Sequence, residues 1–127
     1  MSDAQPRIVC LCGSTRFKRE FEEANKQETL AGRIVLSVGF FAHADLGGHA
    51  EETVGPEIKQ RLDELHLRKI DLADEVVVIN CGRYIGQSTR REIEYAERLG
   101  KPIRYLEENC DADAIVLQPE EGGPSGC

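Results

Sequence analysis

Hydrophobic and polar residues alternate along the chain in blocks that predict strands and helices in turn. Short apolar runs rich in β-branched residues predict buried strands. These strands cover residues 8–12, 34–38, 76–79 and 103–106. Elsewhere, apolar residues recur every three or four positions among charged ones, which predicts amphipathic helices. These helices cover residues 17–32, 56–72 and 89–99. Because strands and helices alternate, we expect parallel strands joined by right-handed crossovers.

The expected fold is therefore a small three-layer α/β sandwich of the flavodoxin or Rossmann type, with a four- to five-stranded parallel sheet. Residues 114–117 are the candidate fifth strand, at an edge. A chain of 127 residues has room for one domain, which we place at 1–118. Residues 119–127 are rich in Gly and Glu and predict a disordered tail.

The formal charge of −7 argues against nucleic acid or an anionic membrane surface as a partner, because both need a basic face. No apolar run approaches the roughly 20 residues of a membrane span, and residues 1–7 lack an apolar signal region, so we expect a cytoplasmic protein. The five cysteines include no CxxC pair, which favours reduced thiols. Cys10 and Cys12 are expected on opposite faces of their strand.

Metal or organic cofactors are not expected from the sequence. His43, Asp45 and His49 share one loop, but no recognised ligand interval connects them. His66 lies between Leu62 and Ile70 on the apolar face of the helix over 56–72, where a lone histidine is usually a core or rim residue.

Ligands of parallel sheets bind beyond the carboxyl ends of the strands, where the loops 13–16, 40–55 and 81–89 should converge. In the first loop, Gly13 permits a sharp turn, and Ser14 or Thr15 can offer a hydroxyl. Free backbone amides of the first helical turn attract an anion, and Arg16 adds a charge suited to phosphate. The plainer alternative is that Ser14 or Thr15 only caps the following helix. Neither a Walker loop nor a GxGxxG fingerprint is present.

The loop 81–89 is the densest polar cluster. Gly86 permits close approach of a ligand, and Tyr84 can stack or hydrogen-bond. Thr89 and Glu92 have the spacing of a capping box, which would explain Glu92 structurally. The functional alternative is that Glu92, at the mouth of the expected site, acts as a nucleophile or base.

Taken together, these segments resemble the nucleoside 2-deoxyribosyltransferase-like superfamily, and within it the 2'-deoxynucleoside 5'-phosphate N-hydrolases. The resemblance extends over about residues 8–106 and rests on four segments. They are 12–16 (CGSTR), 73–78 (ADEVVV), 86–96 (GQSTRREIEYA) and 100–102 (GKP).

The resemblance implies cleavage of an N-glycosidic bond with Glu92 as the nucleophile. It implies that substrate phosphate, sugar or base is bound by Gly13, Ser14, Arg16, Tyr84, Gly86 and Ser88. It further implies a homodimer and no cofactor. The family usually has an aspartate where this chain has His66, which makes His66 a candidate proton donor, and Asp63 lies nearly one turn away.

The leading hypothesis is an enzyme that hydrolyses, or transfers the base of, a nucleoside or nucleoside 5'-monophosphate. Two alternatives stay open. One is a non-catalytic nucleotide sensor that uses the same pocket. The other is a phosphoribohydrolase, although the paired glycines typical of that class are missing from residues 86–92.

Overall fold

The computed structural model describes residues 5–42, 45, 47 and 54–107, and it has a four-stranded parallel sheet with helices on both faces. The strands are β1 (Ile8–Gly13), β2 (Ile34–Leu36), β3 (Glu75–Ile79) and β4 (Ile103–Tyr105). The helices are α1 (Lys18–Leu30), α2 (Pro56–Leu72) and α3 (Gln87–Arg98), with a 3₁₀ turn at Cys81–Arg83. The predicted fold class is confirmed.

The alternation of side chains along β1 and β3 divides the core into two layers. Val9 and Leu11 of β1 pack with Phe21 of α1 on one face of the sheet. Cys10 and Cys12 face the other way, toward α2 and α3. Because strand side chains repeat every two residues, residues 10 and 12 must share a face. The expectation that these two cysteines lie on opposite faces was therefore wrong.

The strand order β2-β1-β3-β4 positions the site. The chain moves from β1 to β2 on one side and then crosses to β3 on the other, so β1 and β3 are neighbours at the point where the winding reverses. Such a reversal leaves a crevice beyond the carboxyl ends of the two strands. Gly13, which pairs with Ile79, stands at its edge.

Gly13 is a glycine for a reason of packing. A Cβ at this position would lie 2.8 Å from the carbonyl oxygen of Ile79 and 2.9 Å from its Cβ. Gly13 is the last residue of β1, and the turn that the sequence predicted at this point comes one residue later. The close approach of β1 to β3 requires the missing side chain.

Several predicted features lie outside the described residues. These are the candidate strand 114–117, the tail 119–127, most of the loop 40–55, and His43 and His49. Asp45 is described, and its carboxylate accepts a hydrogen bond from Lys18 Nζ at 2.9 Å. Among the helices of the described part, none is long and apolar enough to cross a membrane. Cys10 and Cys12 are free thiols, whereas Cys81 is disulfide-bonded, so the expectation of reduced thiols fails at Cys81.

Candidate functional site

A cavity of about 980 Å³ opens at the carboxyl ends of β1 and β3. Its walls come from the turn after β1, the segment after β2, one face of α2 and the first half of α3. All the residues singled out from the sequence as site candidates line it. They are Gly13, Ser14, Arg16, His66, Tyr84, Gly86, Ser88 and Glu92. The fold thus brings together residues that are far apart in the sequence, since Gly13 and Glu92 are almost 80 positions apart.

Glu92 forms part of the cavity wall with only 14% of its side chain exposed. Burial raises the pKa of this carboxyl to about 7, and the nearby charges of Cys10 and Asp63 act in the same direction. Within the described ranges, no Arg or Lys pairs with this nearly buried carboxylate, an arrangement that is costly for stability and typical of functional groups.

The capping-box interpretation of Glu92 was wrong. Helix α3 begins at Gln87, with Gly86 in the N-cap position and no side-chain cap. Thr89 is therefore already inside the helix, and Glu92 lies in its second turn. Since a capping box requires its first residue at the N-cap, the pair cannot form one. The structural explanation of Glu92 is thereby removed.

His66 contacts Glu92 from α2. Its Nε2 lies 4.0 Å from Glu92 Oε1, and only 7% of the side chain is exposed. The same nitrogen lies 3.4 Å from Cys12 Sγ and 3.6 Å from Cys10 Sγ. His66 is thus buried, as its place on the apolar face indicated, but its neighbours are chemically reactive groups.

The protonation of this cluster is shared among its members. Burial opposes the charge on His66, but contact with Cys10 and the charge of Glu92 outweigh it and raise the pKa of the imidazole. Hydrogen bonding with Cys12 lowers the pKa of the Cys10 thiol. The same bond, together with burial, raises the pKa of Cys12. Cys10 is therefore the first of the two thiols to ionise.

Arg16 and Tyr84 also line the cavity. The guanidinium carbon of Arg16 lies 4.7 Å from the centre of the Tyr84 ring, a cation–π contact. Tyr84 in turn packs edge-on against Phe17, with ring centres 6.0 Å apart. Within the described part of the chain, the buried Nε of Arg16 has no hydrogen-bond partner. The contact with Tyr84 thus holds the Arg16 side chain in place.

Ser14 has a local role, but it does not cap the following helix, so the plainer alternative was wrong for Ser14. Its Oγ accepts a hydrogen bond from the backbone N–H of Arg16 at 3.3 Å. Helix α1 begins only at Lys18, without a side-chain cap, so this bond stabilises the turn rather than a helix end. One backbone amide expected to bind an anion is thereby occupied.

Helix α2 contributes Lys59, which the sequence reasoning missed. Lys59 Nζ donates to the Asp63 carboxylate at 2.6 Å and lies 3.4 Å from Ser88 Oγ. Lys59, Asp63 and His66 are spaced by four and three positions, so they line one face of the helix. That spacing was the available signal. Asp63, although it lies nearly one helical turn from His66, is also part of the cavity wall.

The cavity is more basic than the molecule as a whole. Among its described lining residues, Arg16, Lys59, Lys69 and Arg91 are basic and Asp63 and Glu92 are acidic. The chain as a whole carries a formal charge of −7. An anionic ligand therefore meets a locally favourable potential in an acidic protein.

No protein-family model matches the chain, and a search of the curated proteins finds no match.

Proposed function

We propose that this protein cleaves the N-glycosidic bond of a nucleoside or nucleoside 5'-monophosphate, with Glu92 as the nucleophile. The observation that carries the proposal is the position of Glu92. Its carboxylate is nearly buried in the wall of a cavity of about 980 Å³ that Arg16 also lines, and it has no capping role. A cavity of this size accommodates a nucleotide.

The reaction follows the logic of retaining glycosidases. The Glu92 carboxylate attacks C1' of the sugar, and the electrons of the C1'–N bond leave with the base, which takes up a proton. Water then attacks C1' of the glycosyl ester and gives up its proton, which restores the carboxylate and releases the sugar. Where a second base attacks instead of water, the product is a new nucleoside.

His66 supports this chemistry through Glu92. Its Nε2 faces the carboxylate at 4.0 Å, so an imidazolium stabilises the ionised nucleophile before attack. The charge of His66 lowers the pKa of Glu92 against the effect of burial. That His66 also donates the proton to the leaving base stays a prediction.

The basic wall accounts for substrate binding. Arg16, fixed by Tyr84, provides a guanidinium for a 5'-phosphate, and Lys59, which also lines the cavity, adds a second positive charge. The substrate sugar then lies between these groups and Glu92. A substrate with a phosphate is therefore preferred over the parent nucleoside.

The test incubates the protein with ribo- and deoxyribonucleoside 5'-monophosphates and their nucleosides, and measures free base by chromatography. We expect one class of nucleotide to release base, and Glu92→Gln to reduce the rate by at least about 10³-fold. Glu94→Gln is the matched control, because Glu94 is on the same helix but exposed, and its rate should equal that of the wild type.

Two outcomes would contradict the proposal. Base release by Glu92→Gln at the wild-type rate would exclude the nucleophile. Thermal stabilisation by a nucleotide without any base release, from the wild type and under all conditions tried, would favour the nucleotide sensor instead.

A further inference from the structure

Behind the cavity wall, two thiols and one imidazole converge from two elements. Cys10 and Cys12 belong to β1 and His66 to α2, and all three are buried. Their ligand atoms lie within 4.8 Å of one another. We propose that Cys10 Sγ, Cys12 Sγ and His66 Nε2 form a binding site for a thiophilic divalent metal ion, zinc in the first place.

The distances match tetrahedral coordination. Zinc bonds of about 2.3 Å to sulfur and about 2.0–2.1 Å to nitrogen put the two ligand atoms about 3.6 Å apart at a tetrahedral angle. His66 Nε2 lies 3.4 Å from Cys12 Sγ and 3.6 Å from Cys10 Sγ. An ion can therefore enter between the three atoms with little movement of the chain.

The backbone explains why the site is pre-formed. Cys10 and Cys12 are two residues apart on the central strand β1, so both thiols project from one face. His66 is fixed by the packing of α2 on that face, where its neighbour Ile70 is fully buried. Rigid elements, rather than a loop, hold all three ligands.

The charge of the occupied site also balances. In the metal-free protein the thiols and the imidazole can hydrogen-bond to each other, which satisfies their polar atoms without an ion. When the metal binds, two thiol protons leave, and two thiolates with one divalent cation sum to zero. A neutral site of this kind can be buried where isolated thiolates cannot.

The fourth ligand comes from the cavity side. A water molecule that enters from the cavity takes the fourth position, as in zinc sites with three protein ligands, and Glu92, whose Oε1 lies 4.0 Å from His66 Nε2, stays uncoordinated. His66 and Glu92 both line the cavity, which gives the ion its entry path. The inference does not depend on the proposed glycosidase activity, because the three protein ligands do not include Glu92.

The experiment uses the full chain, treated with a chelator and then titrated with Co²⁺ and Zn²⁺. We expect one equivalent of Co²⁺ to bind with a thiolate-to-cobalt charge-transfer band and the intense visible bands of a tetrahedral site, both removed by Zn²⁺. Cys12→Ser should weaken binding by at least about 100-fold and reduce the charge-transfer band. Glu94→Gln, at an exposed position on α3 that is not one of the three ligands, should bind like the wild type.

Absence of binding, or equal binding by Cys12→Ser and the wild type, would overturn the proposal. Zinc-edge X-ray absorption of the wild type gives a second measurement that needs no variant. Two sulfur ligands at about 2.3 Å with nitrogen or oxygen at about 2.0–2.1 Å are expected. A shell without sulfur, or with four sulfurs, would contradict the site even if the variant failed to fold.

Discussion

One missing side chain, at Gly13, keeps β1 and β3 close together beside the cavity. Gly13→Ala places a Cβ against the carbonyl oxygen and Cβ of Ile79, neither of which can move without shifting the central strand pair. We expect a loss of about 1–3 kcal/mol in the free energy of unfolding, as for overpacked cores. Urea denaturation followed by circular dichroism measures it.

Gly39→Ala is the matched control for that variant. Among the described residues, no atom lies within 4 Å of a Cβ at Gly39, and the Gly39 backbone is not in the left-handed region. The free energy of unfolding of this variant should therefore change by less than about 0.5 kcal/mol. Equal stability of Gly13→Ala and the wild type would mean that β1 and β3 separate easily.

At this scale the sequence identified some residues and missed others for definite reasons. Glu92, Arg16 and Tyr84 follow from their motifs and from the rule that sites lie beyond strand ends. Lys59 was missed because a lysine on a helix is usually a solvated charge, and only tertiary packing turns it toward Ser88. The cluster around His66 was missed because the strand period was misapplied to Cys10.

Among the elements, β1, β3 and β4 are joined at the end opposite the cavity by a buried carboxylate. Glu75 accepts hydrogen bonds from Arg7 and Arg104, and its side chain is only 8% exposed. Burial alone would raise the pKa of Glu75, but the two arginines outweigh it and lower the pKa below its ordinary value of 4.5. Arg104 also bonds Glu28 of α1, which extends the network to a helix.

This network predicts how stability depends on pH. Because the folded state lowers the pKa of Glu75, its stabilising effect is complete above about pH 4.5 and is lost as the pH falls through the folded value. Glu75→Gln should cost about 1–2 kcal/mol at pH 7, since both arginines are half-exposed, and the gap to the wild type should close in acid. Urea unfolding of both proteins from pH 7 down to pH 3 measures the gap.

Glu94→Gln, at an exposed position on α3, is the control and should track the wild type throughout. A gap between wild type and Glu75→Gln that stays constant into acid would show that Glu75 stabilises the sheet by packing and not by charge.

The bounds of the elements were predictable where apolar spacing alone decides them, and α2 matches its predicted range of 56–72. The predicted start of α3 was two residues late because Thr89 and Glu92 imitate a capping box, whereas the helix begins after Gly86. Strand β2 ends at Leu36 rather than at residue 38, since Val38 turns to line the cavity. A local sequence pattern does not show where tertiary packing moves the end of a helix or strand.

For the whole molecule, the alternation of strands and helices correctly predicted a parallel sheet. The rule that ligands bind beyond the carboxyl ends of parallel strands predicted where the cavity lies. The charge of the cavity did not follow, because composition gives only a sum. A net charge of −7 argued against polyanionic partners, yet four basic residues line the described part of one cavity. The net charge of the molecule therefore disfavours polyanions, whereas the basic residues of the cavity favour a small anion.

That distribution predicts a charge-specific effect on thermal stability. In a Glu92→Gln background, which should prevent turnover, a nucleoside 5'-monophosphate should raise Tm, since a ligand at a hundredfold excess over Kd stabilises by about 2.7 kcal/mol. Adding Arg16→Gln should remove most of the rise, because the guanidinium faces the cavity. Arg19→Gln is the matched control: its side chain is 84% exposed, and the rise should persist.

The parent nucleoside and the salt concentration separate phosphate recognition from general binding. The nucleoside should give a smaller rise than the nucleotide, and added salt should reduce the difference, because screening weakens the attraction between guanidinium and phosphate. If Arg16→Gln and Arg19→Gln respond alike to the nucleotide, Arg16 does not bind the phosphate. An equal rise in Tm with nucleoside and nucleotide would mean that the protein recognises the sugar and base. The basic residues of the cavity would then not contribute to substrate selection.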